Sequence, residues 1–184
     1  MTKMTGAKCL AEFLERSVVS HVFWVPAVLM ETLDELGRGN RVSRIMAHGE
    51  KAAVYMADGY ARVSGRPGVC FAQMIGASNL AAGLLDPWLA HTPIVAITGG
   101  ATAAYMNRHT YQQIHGRPAF ATVTKEQARV ERPELLPEAL RQAFRVATSG
   151  TPGPVHMEIA GHFAEVETME ADLDVIIEDR FQQL

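Results

Sequence analysis

Cysteine is nearly absent: Cys9 and Cys70 are the only two in 184 residues, and they form no CxxC pattern. Two such distant thiols exclude a disulfide framework or a cysteine-rich zinc site, and they suit a reducing, cytoplasmic setting. Long apolar runs are also missing. Lys3, Lys8 and Glu12 break the N-terminal stretch, and Asp86, Pro87, His91 and Pro93 break the later ones. The N-terminal stretch therefore does not read as a signal peptide, and no run approaches the roughly 20 apolar residues of a membrane helix. Aromatic residues make up 7% and do not alternate with basic ones, and the net charge is −3 from 17 basic and 20 acidic residues. Neither a nucleic-acid protein built on bulk positive charge nor a base-stacking platform is expected.

Several catalytic signatures are missing too. No GxGxxG follows a strand, and there is no GxxxxGK[ST] phosphate loop, so nucleotide binding has no sequence support. No HExxH or tight His/Asp/Cys cluster points to a metal. Gly76-Ala77-Ser78-Asn79 is not the GxSxG of a hydrolase elbow. His48, His91, His109, His115 and His156 lie scattered, as surface or packing histidines do.

What is present is the composition of a packed globular chain, 48% hydrophobic and 20% charged. Strand-like runs at 21–25, 42–46, 69–74, 93–98, 121–123 and 155–159 alternate with helical periodicity at 7–16, 28–36, 52–63, 78–90, 110–115 and 133–147. Gly37 reads as the cap that ends the second helix. The expected fold is α/β: three layers, a roughly six-stranded parallel sheet with helices on both faces. One domain is expected over 1–164, and 165–184 reads as an acidic C-terminal tail or the start of a linker. Ligands in such folds sit outside the carboxyl ends of the strands. That directs attention to the segments after Val25, Met46, Met74 and Thr98.

The segment after Met46 carries the strongest signal. Glu50 falls at a strand-to-helix junction, where a carboxylate faces the crevice and the helix N-terminus favours its charge. From Glu50 the chain runs x-Ala-Ala-x-x-Met-Ala-Asp-Gly-Tyr-Ala to Arg62. This run resembles the glutamate signature of thiamine-diphosphate enzymes of the acetolactate synthase, pyruvate oxidase and 2-oxo acid decarboxylase type, in their N-terminal pyrimidine-binding domain. The likeness extends along the chain. Val22-Phe23-Trp24-Val25-Pro26 resembles the first strand and its Val-Pro turn, and Gly76-Ala77-Ser78-Asn79-Leu80 the end of a Gly-Pro-Gly-Ala-Thr-Asn segment. Tyr111-Gln112-Gln113 falls where the family has Phe-Gln-Glu, and Ala147-Thr148-Ser149-Gly150 through Pro154-Val155 resembles the entry to the last strand.

The resemblance implies roles. Glu50 would hydrogen-bond N1′ of the cofactor's aminopyrimidine and so help the adjacent amino group take the thiazolium proton. Pro26 and Ala27 would lie against the pyrimidine, Gly76 and Asn79 would shape the pocket, and Gln112 would face the reacting end. Thiamine diphosphate would occupy a shared site. Its diphosphate and Mg2+ would be held by another domain or subunit, because the Gly-Asp-Gly and Asn-Asn motifs that hold them are absent and Asp58-Gly59 belongs to the glutamate helix. The implied partners are that diphosphate-binding domain and further copies of this chain, a dimer or higher, with Met56 and the alanine-rich helix face as candidate association surface; no nucleic acid or membrane is implied. An excised domain, one subunit of a split enzyme and a stand-alone, non-catalytic binding module all remain open. Three departures from the family pattern stand out: Gly49 between His48 and Glu50, which shifts the loop by a residue, Trp24 and Ala27 at glycine positions, and Met74-Ile75 in place of Gly-Pro; the last two favour the non-catalytic module, because they fall where the family keeps its backbone small.

Overall fold

The computed structural model describes residues 2–17, 19–26, 29–105, 108, 114–161, 168–171 and 173. The chain opens with a short strand, β1 (Thr2–Thr5), and a helix, α1 (Gly6–Arg16), whose N-terminus is capped by Thr5 accepting from the Lys8 N–H at 3.2 Å. There follow β2 (His21–Trp24), α2 (Met30–Gly39), β3 (Ser43–Met46), α3 (Glu50–Ser64), β4 (Gly68–Ala72), α4 (Ala77–Gly83), α5 (Leu85–Leu89), β5 (Ile94–Gly100), β6 (Glu126–Val130), α6 (Leu136–Thr148), β7 (Val155–Ala160) and β8 (Thr168–Ala171). β2 to β7 form one parallel sheet in the order β3-β2-β4-β5-β7-β6. The expected three-layer α/β fold is what the chain adopts.

The two helical layers have different chemistry. α1, α2 and α6 bury large side chains, among them Phe13, Leu14, Leu33, Leu36, Leu140 and Phe144, against Val69, Phe71, Val95 and Met157. α3 and α4 bury mostly alanines, Ala53, Ala57, Ala61, Ala77 and Ala81, against Phe23, Cys70 and Ala96. Small side chains let α3 lie close to the sheet, so close that a Cβ on Gly68 would overlap the Ala57 carbonyl. Cys9 and Cys70 are free and buried, and burial pushes both thiols up to about 12, so neither acts as a nucleophile at neutral pH.

Several local expectations are corrected. The strand placed at 121–123 is a turn, and the strand lies at 126–130 instead. Ala-Thr-Val offers β-branched bulk, but Phe120 and Val123 are drawn into the alanine-lined core, and the next extended stretch pairs with β7. The helix over 78–90 is two, broken at Leu84 just before Pro87. Of the helix placed at 110–115, residues 110–113 lie outside the described residues, and Ile114 and His115 are irregular. Gly37 is inside α2, which ends at Asn40 in the left-handed conformation (φ 54°). Gly37 is small for another reason: a Cβ there would meet the Arg44 guanidinium at 2.7 Å, where Arg44 reaches the Leu33 carbonyl at 2.8 Å. Within 165–184, residues 168–171 form β8, antiparallel to β1, with Met169, Ala171 and Leu173 buried.

Candidate functional site

The chain leaves β2 toward β3 on one side and later returns to place β4 on the other. That reversal opens a crevice at the carboxyl ends of β2 and β4, the usual ligand position in such sheets. Three functional groups meet there. Glu50 opens α3, directly after Gly49, whose backbone is extended. Gly76 and Asn79 come from the turn after β4 and the first turn of α4. Asn79 Nδ2 donates to Glu50 Oε2 at 3.2 Å. A Cβ on Gly76 would overlap Glu50 Oε1 and lie 2.6 Å from its Cδ. Glycine there makes room for the carboxylate as it now lies, a matter of close approach rather than of backbone conformation.

The Glu50 carboxylate is thus held without being neutralised. An amide donor fixes one oxygen, a bare Cα supports the other, and no cationic side chain pairs with it among the described residues. Such a carboxylate keeps lone pairs free for a ring nitrogen or N–H of a ligand. Among the described residues no three His, Cys, Asp or Glu side chains gather as a metal would require.

The other candidates are placed less tightly. Pro26 is exposed at the exit of β2, level with the end of β4, since the Val25 N–H bonds to the Phe71 carbonyl at 3.3 Å. Ala27 and Gln112 lie outside the described residues. His48 is exposed. Trp24 points away from the α3 side and packs against the larger core cluster, its indole N–H buried without a partner among the described residues. It fills space rather than lining the Glu50 side. Ile75, next to Gly76, is half exposed.

A second polar cluster, invisible in the sequence, lies at the opposite end of the sheet. Arg129 on β6 donates to Glu158 on β7, to Glu131 Oε1 at 2.8 Å and to the Ala101 carbonyl at 2.6 Å. Glu158 is only 8% exposed. Burial raises its carboxyl above the usual range, and the Arg129 and Arg117 charges pull against that. A Cβ on Gly100 would lie 2.7 Å from Glu158 Cδ. Two residues earlier on β7, His156 stacks on Phe120 with centroids 3.6 Å apart, and its Nε2 bonds Thr98 Oγ1 at 2.8 Å. Burial, then the Arg117 charge, push His156 down to about 3, so it is neutral at pH 7.

A family model described as "Thiamine pyrophosphate enzyme, N-terminal TPP binding domain" matches residues 4–120. The chain belongs to this family. The match takes in Glu50, Gly76 and Asn79 together. Curated relatives agree. The domain is 32% identical over 172 residues to a probable acetolactate synthase large subunit of Methanocaldococcus jannaschii, covering 93% of this chain and 29% of the relative. It is 35% identical over 172 residues to the acetolactate synthase large subunit of Corynebacterium glutamicum, covering 92% and 27%. It is 37% identical over 156 residues to the chloroplastic acetolactate synthase of Arabidopsis thaliana, covering 84% and 23%. The chain therefore spans less than a third of the length of these relatives.

Proposed function

We propose that this chain is the pyrimidine-binding part of a thiamine-diphosphate enzyme acting on 2-oxo acids, by decarboxylation or acyl transfer as in acetolactate synthase, with Glu50 as the catalytic carboxyl. The observation that carries this is the Glu50 carboxylate held by Asn79 and Gly76 at the mouth of the crevice, with no counter-cation. The residues present fit the group. Oε2 is occupied by an amide donor, so Oε1 is the oxygen left to hold a proton toward N1′ of an aminopyrimidine. When bound, thiamine diphosphate supplies the acidic ring carbon and the electron sink on which 2-oxo acids lose carbon dioxide. The chain's own part is to orient the pyrimidine and to hold that proton. Pro26, Ala27 and Gln112 are proposed to line the same crevice, and diphosphate and Mg2+ to be held by a partner domain or subunit outside this chain.

Self-association belongs to the same proposal. Tyr55, Met56 and Val63 on α3 and Leu85 and Leu89 on α5 are exposed, Val63 at 91% and Leu89 at 68%. Exposed large apolar residues on the helix that begins at Glu50 suit an interface beside the cofactor. Sedimentation over micromolar concentrations is expected to show a dimer or larger species, and a monomer throughout would contradict it.

The deciding experiment is Glu50→Gln in the presence of the diphosphate-binding half. Turnover is expected to fall about 10²–10⁴-fold with folding intact, the usual weight of a general acid–base group. Unchanged turnover would instead support a non-catalytic binding module, the reading that the half-exposed Ile75 beside Gly76 favours.

A further inference from the structure

The α3–α4 layer covers β2, β4 and β5 but leaves the β7–β6 end of the same sheet face to the irregular segment 114–123. Beneath that segment lies a hollow of about 550 Å³, a size typical of small-molecule sites. Its floor is Gln127, Arg129 and Glu158, and its roof is Ile114 to Pro118. The roof is pinned. The Gln127 amide, oriented so that both ends find partners, donates to the Arg117 carbonyl at 2.8 Å and accepts from the Ala121 N–H at 3.1 Å. Gly116 is held against α4, where a Cβ on it would meet Ala77 Cβ at 2.8 Å.

The charges lining the hollow are unequally committed. Both carboxylates are used by one guanidinium, since Arg129 bonds Glu158 and Glu131. Each of the three Arg129 nitrogens has a partner, the third being the Ala101 carbonyl. Arg117 lies on the pinned roof, exposed, with no hydrogen bond or ion pair to any described residue. Arg117 is thus the guanidinium lining the hollow that has no hydrogen-bonded partner among the described residues; its charge reaches Glu158, and it stands beside an apolar wall of Ile114, Pro118 and Ala101. A guanidinium in that state binds a carboxylate or phosphate through two parallel N–H bonds. We infer that this hollow is a second ligand site, separate from the Glu50 crevice, for a small organic anion whose carboxylate or phosphate is held by Arg117 and whose apolar body lies on Ile114 and Pro118. The inference rests on this geometry alone and not on the thiamine reading.

The test is a titration of the full 184-residue chain followed by amide NMR, with three probes: 2-oxobutyrate, inorganic phosphate and the uncharged 2-oxobutyramide. Saturable shifts confined to residues 114–118 and 127–131, seen with at least one anion and absent with the amide, are expected. The two anion arms show whether carboxylate or phosphate is preferred. Arg117→Gln is expected to weaken binding about tenfold or more, and Arg117→Lys less, because lysine keeps the charge and loses the fork. Arg117 is exposed, so its replacement leaves the fold intact, and an unchanged amide spectrum outside the roof verifies that. No saturation with either anion up to about 50 mM, an affinity too weak to count as a site, overturns the inference. So does equal binding by Arg117→Gln or by the neutral amide.

Discussion

Two glutamates of this chain sit at opposite ends of one sheet in nearly the same way. The Glu50 carboxylate rests on Gly76, and that of Glu158 on Gly100; in each case a Cβ would displace it. They differ in the donor. Asn79 gives Glu50 an amide N–H, whereas Arg129 gives Glu158 a guanidinium. An amide orients a carboxylate and leaves its charge and one oxygen available. A guanidinium at short range satisfies it and ties two strands together. The same seat therefore produces a carboxylate without a counter-cation among the described residues at one end and a structural ion pair at the other.

The largest contrast is expected from removing each carboxyl. Glu50→Gln should cost orders of magnitude in turnover and leave the melting temperature nearly unchanged. Glu158→Gln should do the reverse, losing about 1–3 kcal/mol of stability as Arg129 is left short of a partner. A melting curve and a turnover assay on the same two proteins check the pair. Equal effects on activity would break the comparison.

The glycine seats sharpen it. Gly100→Ala must push the Glu158 carboxylate off its seat, and a loss of about 1–3 kcal/mol, no larger than that of Glu158→Gln, is expected in denaturant unfolding. Gly76→Ala pushes on a carboxylate at an open crevice, so its stability should change by less than about 1 kcal/mol, as at ordinary surface sites. Its affinity for thiamine diphosphate, measured with the diphosphate-binding half present, should nonetheless fall.

The Glu158 end should also carry a pH signature. His156 has a folded value of about 3 against an ordinary 6.5. Between those values the unfolded chain binds a proton that the folded chain does not, so stability is full above pH 6.5 and declines as pH falls toward 3. His156→Phe should flatten that slope in urea unfolding measured from pH 7 to pH 4. Smallest of all should be Asn79→Ala. Loss of one amide donor to a partly exposed carboxylate is worth about 1 kcal/mol, or roughly fivefold in cofactor affinity. A null result there, with Glu50→Gln still damaging, would assign the orientation of Glu50 to Gly76 alone.

The sequence revealed one of these ends and not the other. Glu50, Gly76 and Asn79 lie in local runs that resemble a known signature, at the starts of helices and directly after strands, so each could be read where it stands. Arg129 and Glu158 are 29 residues apart, in strands that become neighbours only because β7 inserts between β5 and β6. No local pattern encodes such a pair. β8 was hidden for a similar reason. Thr168–Ala171 is too short to show periodicity and becomes a strand by pairing with β1, at the far end of the chain.

Hydrophobic periodicity and the run from Glu50 to Arg62 determined the α/β class, the parallel sheet and the place of Glu50 at a strand-to-helix junction, because each is encoded within a dozen neighbouring residues. Only the tertiary structure decided what Gly76 and Asn79 do for Glu50. It also decided that Trp24 packs into the core, and that Arg117 stands over a hollow with no hydrogen-bonded partner among the described residues. Those outcomes depend on distances between segments remote in sequence, set when the side chains of two helical layers close on one sheet.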